Sequence, residues 1–537
     1  MSFVHRVLLP AALAALCWLG GSLEVWAQTN VTQYGSGALG ANTGNDNSAF
    51  GASALTANTT ATGNSALGAQ ALTSNTTGGF NSAFGNGALH DNTTGADNTG
   101  IGASALFSNT TGANNAGLGF GALYSNTTGA SNSAVGWGAL FSNSTGASNS
   151  AVGYSALYFN TTGMFDTAVG NQSLYMNTTG NNNTALGSGT LQANTTGGFN
   201  SALGANALVA NTTGNYNNAT GTGALQSNLT GSRNNAAGAQ AMSNTTTGSD
   251  NNGMGYDTLF TNTTGTLNNA VGNFALFFNS TGNNNNAVGY AAMYRNTTGS
   301  NNSAQGFWAL ENNTTGSNNI AIGQYAGANL TTGNSNIDIG STGFAGESST
   351  IRIGNSAAQT AAYIAGVASA NITGGAAVMV SASGQLGVAS SSRRYKEDIQ
   401  PMGEASARLY MLRPVSFRYR KADEHGTRPV QYGLIAEEVA DAFPELVVYN
   451  ERGEPETVAY QTLSVLLLNE LKKEHEQVGR QAREIDALHG AVAEVAELKA
   501  ELARLKALTD QLVAGTGSVA IAPPAQVASL RGTDRSH

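Results

Sequence analysis

Apolar side chains return every 17 residues along more than half of this chain. One file runs Phe50, Leu67, Phe84, Ile101, Leu118, Val135, Val152, Val169 and on to Ile339. A second runs Leu55, Leu72, Leu89, Leu106, Leu123, Leu140, Leu157 and on to Leu310, with methionine at 242 and 293. A glycine follows the first file without a miss from Gly51 to Gly340, and another glycine file, broken only by Ala61, runs from Gly44 to Gly333. Such a period predicts a coil stacked on copies of itself, a β-roll or solenoid. Apolar pieces of about three to five residues, punctuated by Asn-Thr-Thr-Gly and Asn-Asn, predict two short strands per coil with turns between. Glycine accepts the positive φ of such turns, and asparagine tolerates it. Stacking sets like on like, so the apolar files are expected to form an inner ladder and the asparagines to bond from coil to coil. Eighteen coils, about 4.8 Å apart, give a rod about 85 Å long. Two apolar positions per coil make a thin core for one chain, and three chains sharing it, a homotrimer, is the expected cure.

Charge divides the chain in two. Twelve charged residues and no lysine lie between Gln28 and Ser390; forty-one lie in the 147 residues from Ser391 onward. An uncharged shaft therefore gives way near residue 390 to a normally charged tail. A net charge of -9 without a basic stripe argues against a nucleic-acid partner. At the N-terminus, His5 and Arg6 precede an apolar run from Val7 to Leu19, and Val25-Trp26-Ala27 ends in a small residue. This pattern predicts a signal peptide over 1–27 and a secreted or surface location, with no direct membrane span. Cys17, the single cysteine, leaves with that segment, so stability has to come from stacking and oligomerisation.

From Leu463 to Leu512, apolar residues including Leu467, Leu471, Val478, Ile485, Leu488, Val492, Val495, Leu498, Leu502 and Leu505 recur at spacings of three and four. That spacing predicts a helix with a coiled-coil seam, three-stranded and parallel to match the shaft. The Gly/Ala/Pro-rich end, 514–537, is expected to be disordered. His90, His425, His475 and His489 show no metal-ligand spacing, and no metal or cofactor is expected.

Two family resemblances follow from particular residues. The Asn-Ala-Val-Gly-like unit over about residues 42–340 resembles the heads of trimeric autotransporter adhesins, which imply a left-handed three-chain β-roll, although those heads usually repeat at about fourteen residues. The tail carries Ser391-Ser392-Arg393-Arg394-Tyr395-Lys396-Glu397-Asp398-Ile399, then Leu412-Arg413-Pro414-Val415-Ser416-Phe417-Arg418-Tyr419. It continues with Tyr432-Gly433-Leu434-Ile435-Ala436-Glu437-Glu438-Val439, Phe443-Pro444-Glu445-Leu446-Val447 and Tyr460-Gln461-Thr462-Leu463. In this order the set resembles the C-terminal intramolecular chaperone of phage tailspikes, endosialidases and myelin-regulatory-factor-type proteins, the peptidase S74 family.

The second resemblance implies a domain that assembles three chains and then cuts itself off with a serine and a lysine five residues later. Those positions match Ser391 and Lys396, with the scissile bond between Ser390 and Ser391. A serine hydroxyl needs a base, and lysine serves only when neutral, which calls for burial or a nearby cation such as Arg393 or Arg394. The family usually has an aspartate directly after the serine, where this chain has Ser392.

The expected layout is mainly β. A signal peptide (1–27) precedes the repeat shaft (28–340), a β neck (341–390) and a small α+β chaperone and self-cleaving domain (391–465). A coiled coil (466–513) and the disordered tail complete it. The expected function is a homotrimeric adhesin-like fibre that binds a cell-surface or host ligand of unknown type. Any enzymatic activity is at most that of a self-cleaving serine endopeptidase with no external substrate. Two alternatives come from other classes. A phage-type tail fibre or polymer-degrading enzyme conflicts with the signal segment and with a shaft poor in acid pairs, since glycoside hydrolysis needs two placed carboxylates. An ice-binding threonine face needs two flat files where strand alternation presents one. The repeated Asn-Thr-Thr triplets also fit the glycosylation pattern, but turn chemistry accounts for them.

Overall fold

Each coil of the shaft contributes one three-residue strand, from β1 (Thr32–Tyr34), β2 (Ser48–Phe50) and β3 (Ser65–Leu67) to β19 (Ile337–Ile339) and β20 (Ile351–Ile353). All twenty pair in one parallel sheet. The register advances by 17 residues per coil, as in Ser65↔Ser82 and Ala66↔Ala83, but by 16 at the first step (Thr32↔Ser48) and 14 at the last (Ile337↔Ile351). The structure, a computed structural model, describes residues 30–515 apart from 368–371, 382, 424 and 451. The expected signal segment, 1–27, lies outside the described residues, as does the expected tail beyond residue 515.

Two expectations about the coil are corrected. The second strand is absent because its apolar residue lies in a turn: Leu72, Leu89 and Leu106 are left-handed, at φ 53–54°. That conformation costs a non-glycine residue about 1–2 kcal/mol, and full burial of the leucine offsets it by about 1.5–3 kcal/mol. The file before the first glycine does not face inward either: Leu67 is 51% exposed and Ile101 42%. Strand alternation is the reason, since only the middle residue of Ser82-Ala83-Phe84 can point in. The apolar core is therefore a continuous column of alanines and leucines within one chain, Ala66, Ala83 and Ala134 beside Leu72, Leu89 and Leu140.

Asparagine supplies the rest of the interior, as two fully buried ladders. In one, Asn75 Nδ2 donates to Asn58 Oδ1 at 2.8 Å and to Gly78 O at 2.9 Å, and the pattern repeats at Asn92, Asn109, Asn126 and beyond. In the other, the Asn81 backbone N–H donates to Asn64 Oδ1 at 2.9 Å, while Asn64 Nδ2 donates to Gly78 O at 3.1 Å. Both ladders thus converge on the carbonyls of the second glycine file. The convergence explains the glycines: a Cβ on Gly95 would stand 2.3 Å from Gly112 O and 2.5 Å from Asn92 Oδ1. Satisfied amides let a core this small exclude water, because nearly every ladder amide taken inside has its partner; Asn228 Oδ1 and Asn313 Oδ1 are exceptions.

The second unit, from Ile364 onward, is built differently. A hairpin joins β21 (Met379–Val380) and β22 (Leu386–Gly387). β23 (Val415–Phe417) pairs antiparallel with β24 (Gln431–Gly433), α1 spans Ala436–Ala442, and β25 (Val447–Tyr449) pairs with β26 (Pro455–Val458). A single helix, α2, runs from Tyr460 to Gly515. Val439, Phe443, Leu446, Val458 and Leu466 form the small core. Polar ties hold a 3-10 segment, Gly403–Met411, against the start of α2: Asn469 Nδ2 donates to Gly403 O at 2.9 Å, and Lys473 Nζ to Glu404 at 2.9 Å. Beyond that point the apolar stripe of α2 is bare, with Val478, Ile485 and Leu502 all more than half exposed.

Candidate active site

Ser391 and Lys396 meet through one short turn. Ser392 is extended (φ -69°, ψ 139°) and caps a single 3-10 turn, Arg393–Tyr395, that Lys396 closes at its other end. The Ser392 Oγ accepts the Arg394 backbone N–H at 3.4 Å and Arg394 Nε at 3.3 Å. The Tyr395 N–H donates to Ser392 O at 3.1 Å, and the Lys396 N–H to Arg393 O at 3.2 Å. The fold-back sets Lys396 Nζ 3.3 Å from Ser391 Oγ, a hydrogen bond across five residues. Ser390, Ser391 and Lys396 are exposed in the single chain; Ser392 is half-buried. An amine in reach of a hydroxyl can take its proton when neutral, the first requirement for a serine nucleophile.

The family resemblance pairs Ser391 with Lys396 and marks Ser392 as a departure from the usual aspartate, but not as the cap of the turn between them. The signal was present: a serine two residues before a helical N–H is a favoured N-cap. The same unit holds an open apolar groove of about 850 Å³, lined among others by Leu412, Pro414, Tyr432, Leu434, Leu463 and Leu467. Tyr460 fixes one wall, its hydroxyl accepting the Leu434 backbone N–H at 2.9 Å.

The shaft offers no comparable chemistry at its carboxylates Asp97, Asp166, Asp250 and Asp257. Asp97 and Asp250 share a file nine coils apart, and Asp250 is held by Arg233 at 2.6 Å. Asp166 is buried in an asparagine ladder, where desolvation pushes its carboxyl up to about 7 against the hydrogen bonds from Asn183 and Asn177. Asp257 sits in a third file, also raised by burial. The asparagines of the repeated Asn-Thr-Thr triplets, such as Asn75 and Asn92, are fully buried ladder members, closed to a glycosylating enzyme in the folded shaft. The threonines that follow them, Thr76 and Thr93, donate to the next coil's carbonyl at 3.0 Å. The second threonines, Thr77 and Thr94, form an exposed file, but the neighbouring exposed positions vary from Phe80 through Asp97 to Asn114, which is no flat second row.

Among the described residues, no helix is long and apolar enough to cross a membrane. No curated protein and no solved structure matches the chain. The segment that opens on Ser391 and ends within β25, residues 391–448, does match a family model, Peptidase_S74, described as the chaperone of endosialidase; the matched segment follows the long parallel β-solenoid along the chain.

Proposed function

We propose that this chain is the subunit of a secreted or surface-held homotrimeric fibre, whose C-terminal domain aligns three chains and then releases itself by cutting between Ser390 and Ser391. The observation that carries the reading is the 3.3 Å contact between Lys396 Nζ and Ser391 Oγ at the start of the matched segment. The unpartnered stripe of α2 supports trimers, because an amphipathic helix in water buries such a seam against copies of itself. The outward file of the shaft, with Leu67, Ile101, Val135 and Val152 more than 40% exposed, offers three parallel chains a matching apolar ridge. The adhesin-like role, with a cell-surface or host ligand, rests on the resemblance of the repeats, and the extracellular location rests on the expected signal segment.

The cut proceeds in two stages. Lys396 takes the Ser391 hydroxyl proton as Oγ attacks the carbonyl carbon of Ser390. The C–N bond breaks, the Ser391 nitrogen receives the proton from Lys396, and Ser390 is left as an ester on Ser391 Oγ. Water then hydrolyses the ester, leaving a carboxylate on Ser390 and a free amine and hydroxyl on Ser391. Lysine in water is protonated at neutral pH, so burial of the dyad on trimer formation is what switches cutting on and ties it to assembly. Native mass spectrometry of the secreted protein tests the assembly: three copies are expected, and a stable monomer overturns the reading.

A further inference from the structure

We infer that Ser392 is a positioning residue for the self-cleavage proposed above, the cap that holds Lys396 over Ser391. The inference rests on that reading and adds a role that neither member of the dyad fills. Residues five apart do not face each other in an extended chain, because strand side chains alternate and 391 and 396 would point to opposite sides. A single 3-10 turn between them reverses the relation, and such a turn is too short to hold itself, since nucleating one fixes several dihedrals for one hydrogen bond. Here the N-terminal donors of the turn need a partner, and Ser392 Oγ supplies it, accepting both from the Arg394 backbone N–H and from Arg394 Nε. The second contact also ties down the guanidinium, which lies over the Tyr395 ring at 5.7 Å. Ser392 is half-buried while its neighbours on both sides are exposed, as befits the anchor of the turn. Its side chain hydrogen-bonds to Arg394 rather than to the amine or the nucleophile, so it acts through geometry.

The cap chemistry explains how serine serves where the related domains usually carry aspartate: both present an oxygen acceptor to the N–H two residues on. The test follows fragment release from the full-length secreted protein with time and pH, alongside native mass, for wild type, Ser392→Ala, Ser392→Asp, Ser392→Asn and Ser391→Ala. Ser392→Ala is expected to trimerise and to cut on the order of tenfold more slowly, through a lost cap and a looser dyad. Its pH midpoint should match wild type, because the Ser392 side chain carries no charge and hydrogen-bonds to Arg394 rather than to the Lys396 amine. Ser392→Asp and Ser392→Asn should cut at nearly the wild-type rate, and they keep the inference testable if the alanine variant fails to fold. Wild-type cutting by Ser392→Ala overturns the inference. So do a shifted midpoint, or trimeric Asp and Asn variants that no longer cut. Wild type that stays intact while Ser392→Asp cuts overturns it as well, since serine is then an inadequate cap. If every variant and wild type form trimers and none is cut, the underlying self-cleavage reading fails and this inference falls with it.

Discussion

Thr245 breaks an asparagine ladder that is otherwise continuous from Asn58 to Asn313. Asn228 Oδ1, which in its file accepts an amide from the coil above, is buried without a partner, and so is the Thr245 hydroxyl. Thr245→Asn is expected to fill both roles and stabilise the local coils by about 1–3 kcal/mol, the cost of buried unsatisfied groups. Hydrogen exchange at the amides of 228–262 reads this directly, and unchanged or faster exchange contradicts it. Asp166 makes a pH-dependent break in the other ladder. Its folded carboxyl titrates near 7 and its ordinary value is 3.8, so the neutral form is favoured inside the coil. The stability tied to that proton is complete below pH 4 and is lost as the pH rises through 7. On the order of 4 kcal/mol separates the two limits. Asp166→Asn should remove this dependence and melt above wild type at pH 8; parallel melting curves for the two proteins from pH 5 to 8 would contradict the account.

At the scale of elements, the solenoid was legible because its evidence is a period, and a period survives errors about individual side chains. The inner and outer assignments were less legible. Val135 and Leu140 look equivalent in composition, but Val135 ends a strand facing out and Leu140 sits in a left-handed turn facing in. Alanine carried the inward strand position, and a residue so common in coils and helices alike draws little notice in a sequence. The buried asparagines were readable as a coil-to-coil ladder, whereas their convergence on glycine carbonyls needs coordinates. That convergence makes a firm prediction: Gly146→Ala places a Cβ 2.4 Å from both Asn143 Oδ1 and Gly163 O. It should destabilise the coil by roughly 2 kcal/mol or more, measured by thermal melting. In the tail, the helix and the Ser391–Lys396 contact were readable from spacing and family resemblance, whereas the turn that joins the two residues leaves no periodic trace and shows in the sequence only through its cap serine, Ser392. The helix seam gives its own test. Ile485 is about half exposed in the single chain, so Ile485→Lys should leave the fold of one chain intact while shifting native mass from trimer to monomer.

For the whole molecule, near-identity of the coils is both its strength and its hazard. Chains can pair slipped by 17 residues at small cost, since most coils present the same files. Few features mark the register within the shaft: Asp166, Thr245 and the Arg233–Asp250 pair, which joins successive coils at 2.6 Å, are three of them. A C-terminal domain that gathers three chains before the shaft stacks removes the ambiguity. Deleting residues 391–537 before expression should therefore yield aggregated or degraded shaft, and soluble trimeric shaft from that truncation would count against the chaperone role. The most direct test of the central claim is the intact mass of the secreted protein after denaturation, for wild type and for Ser391→Ala and Lys396→Ala. The account predicts that wild type separates into a shaft ending at Ser390 and a 147-residue fragment beginning at Ser391, while both variants remain uncut and trimeric before denaturation. A fragment with the same N-terminus from Ser391→Ala would instead show an outside protease acting on an exposed linker, and contradict it.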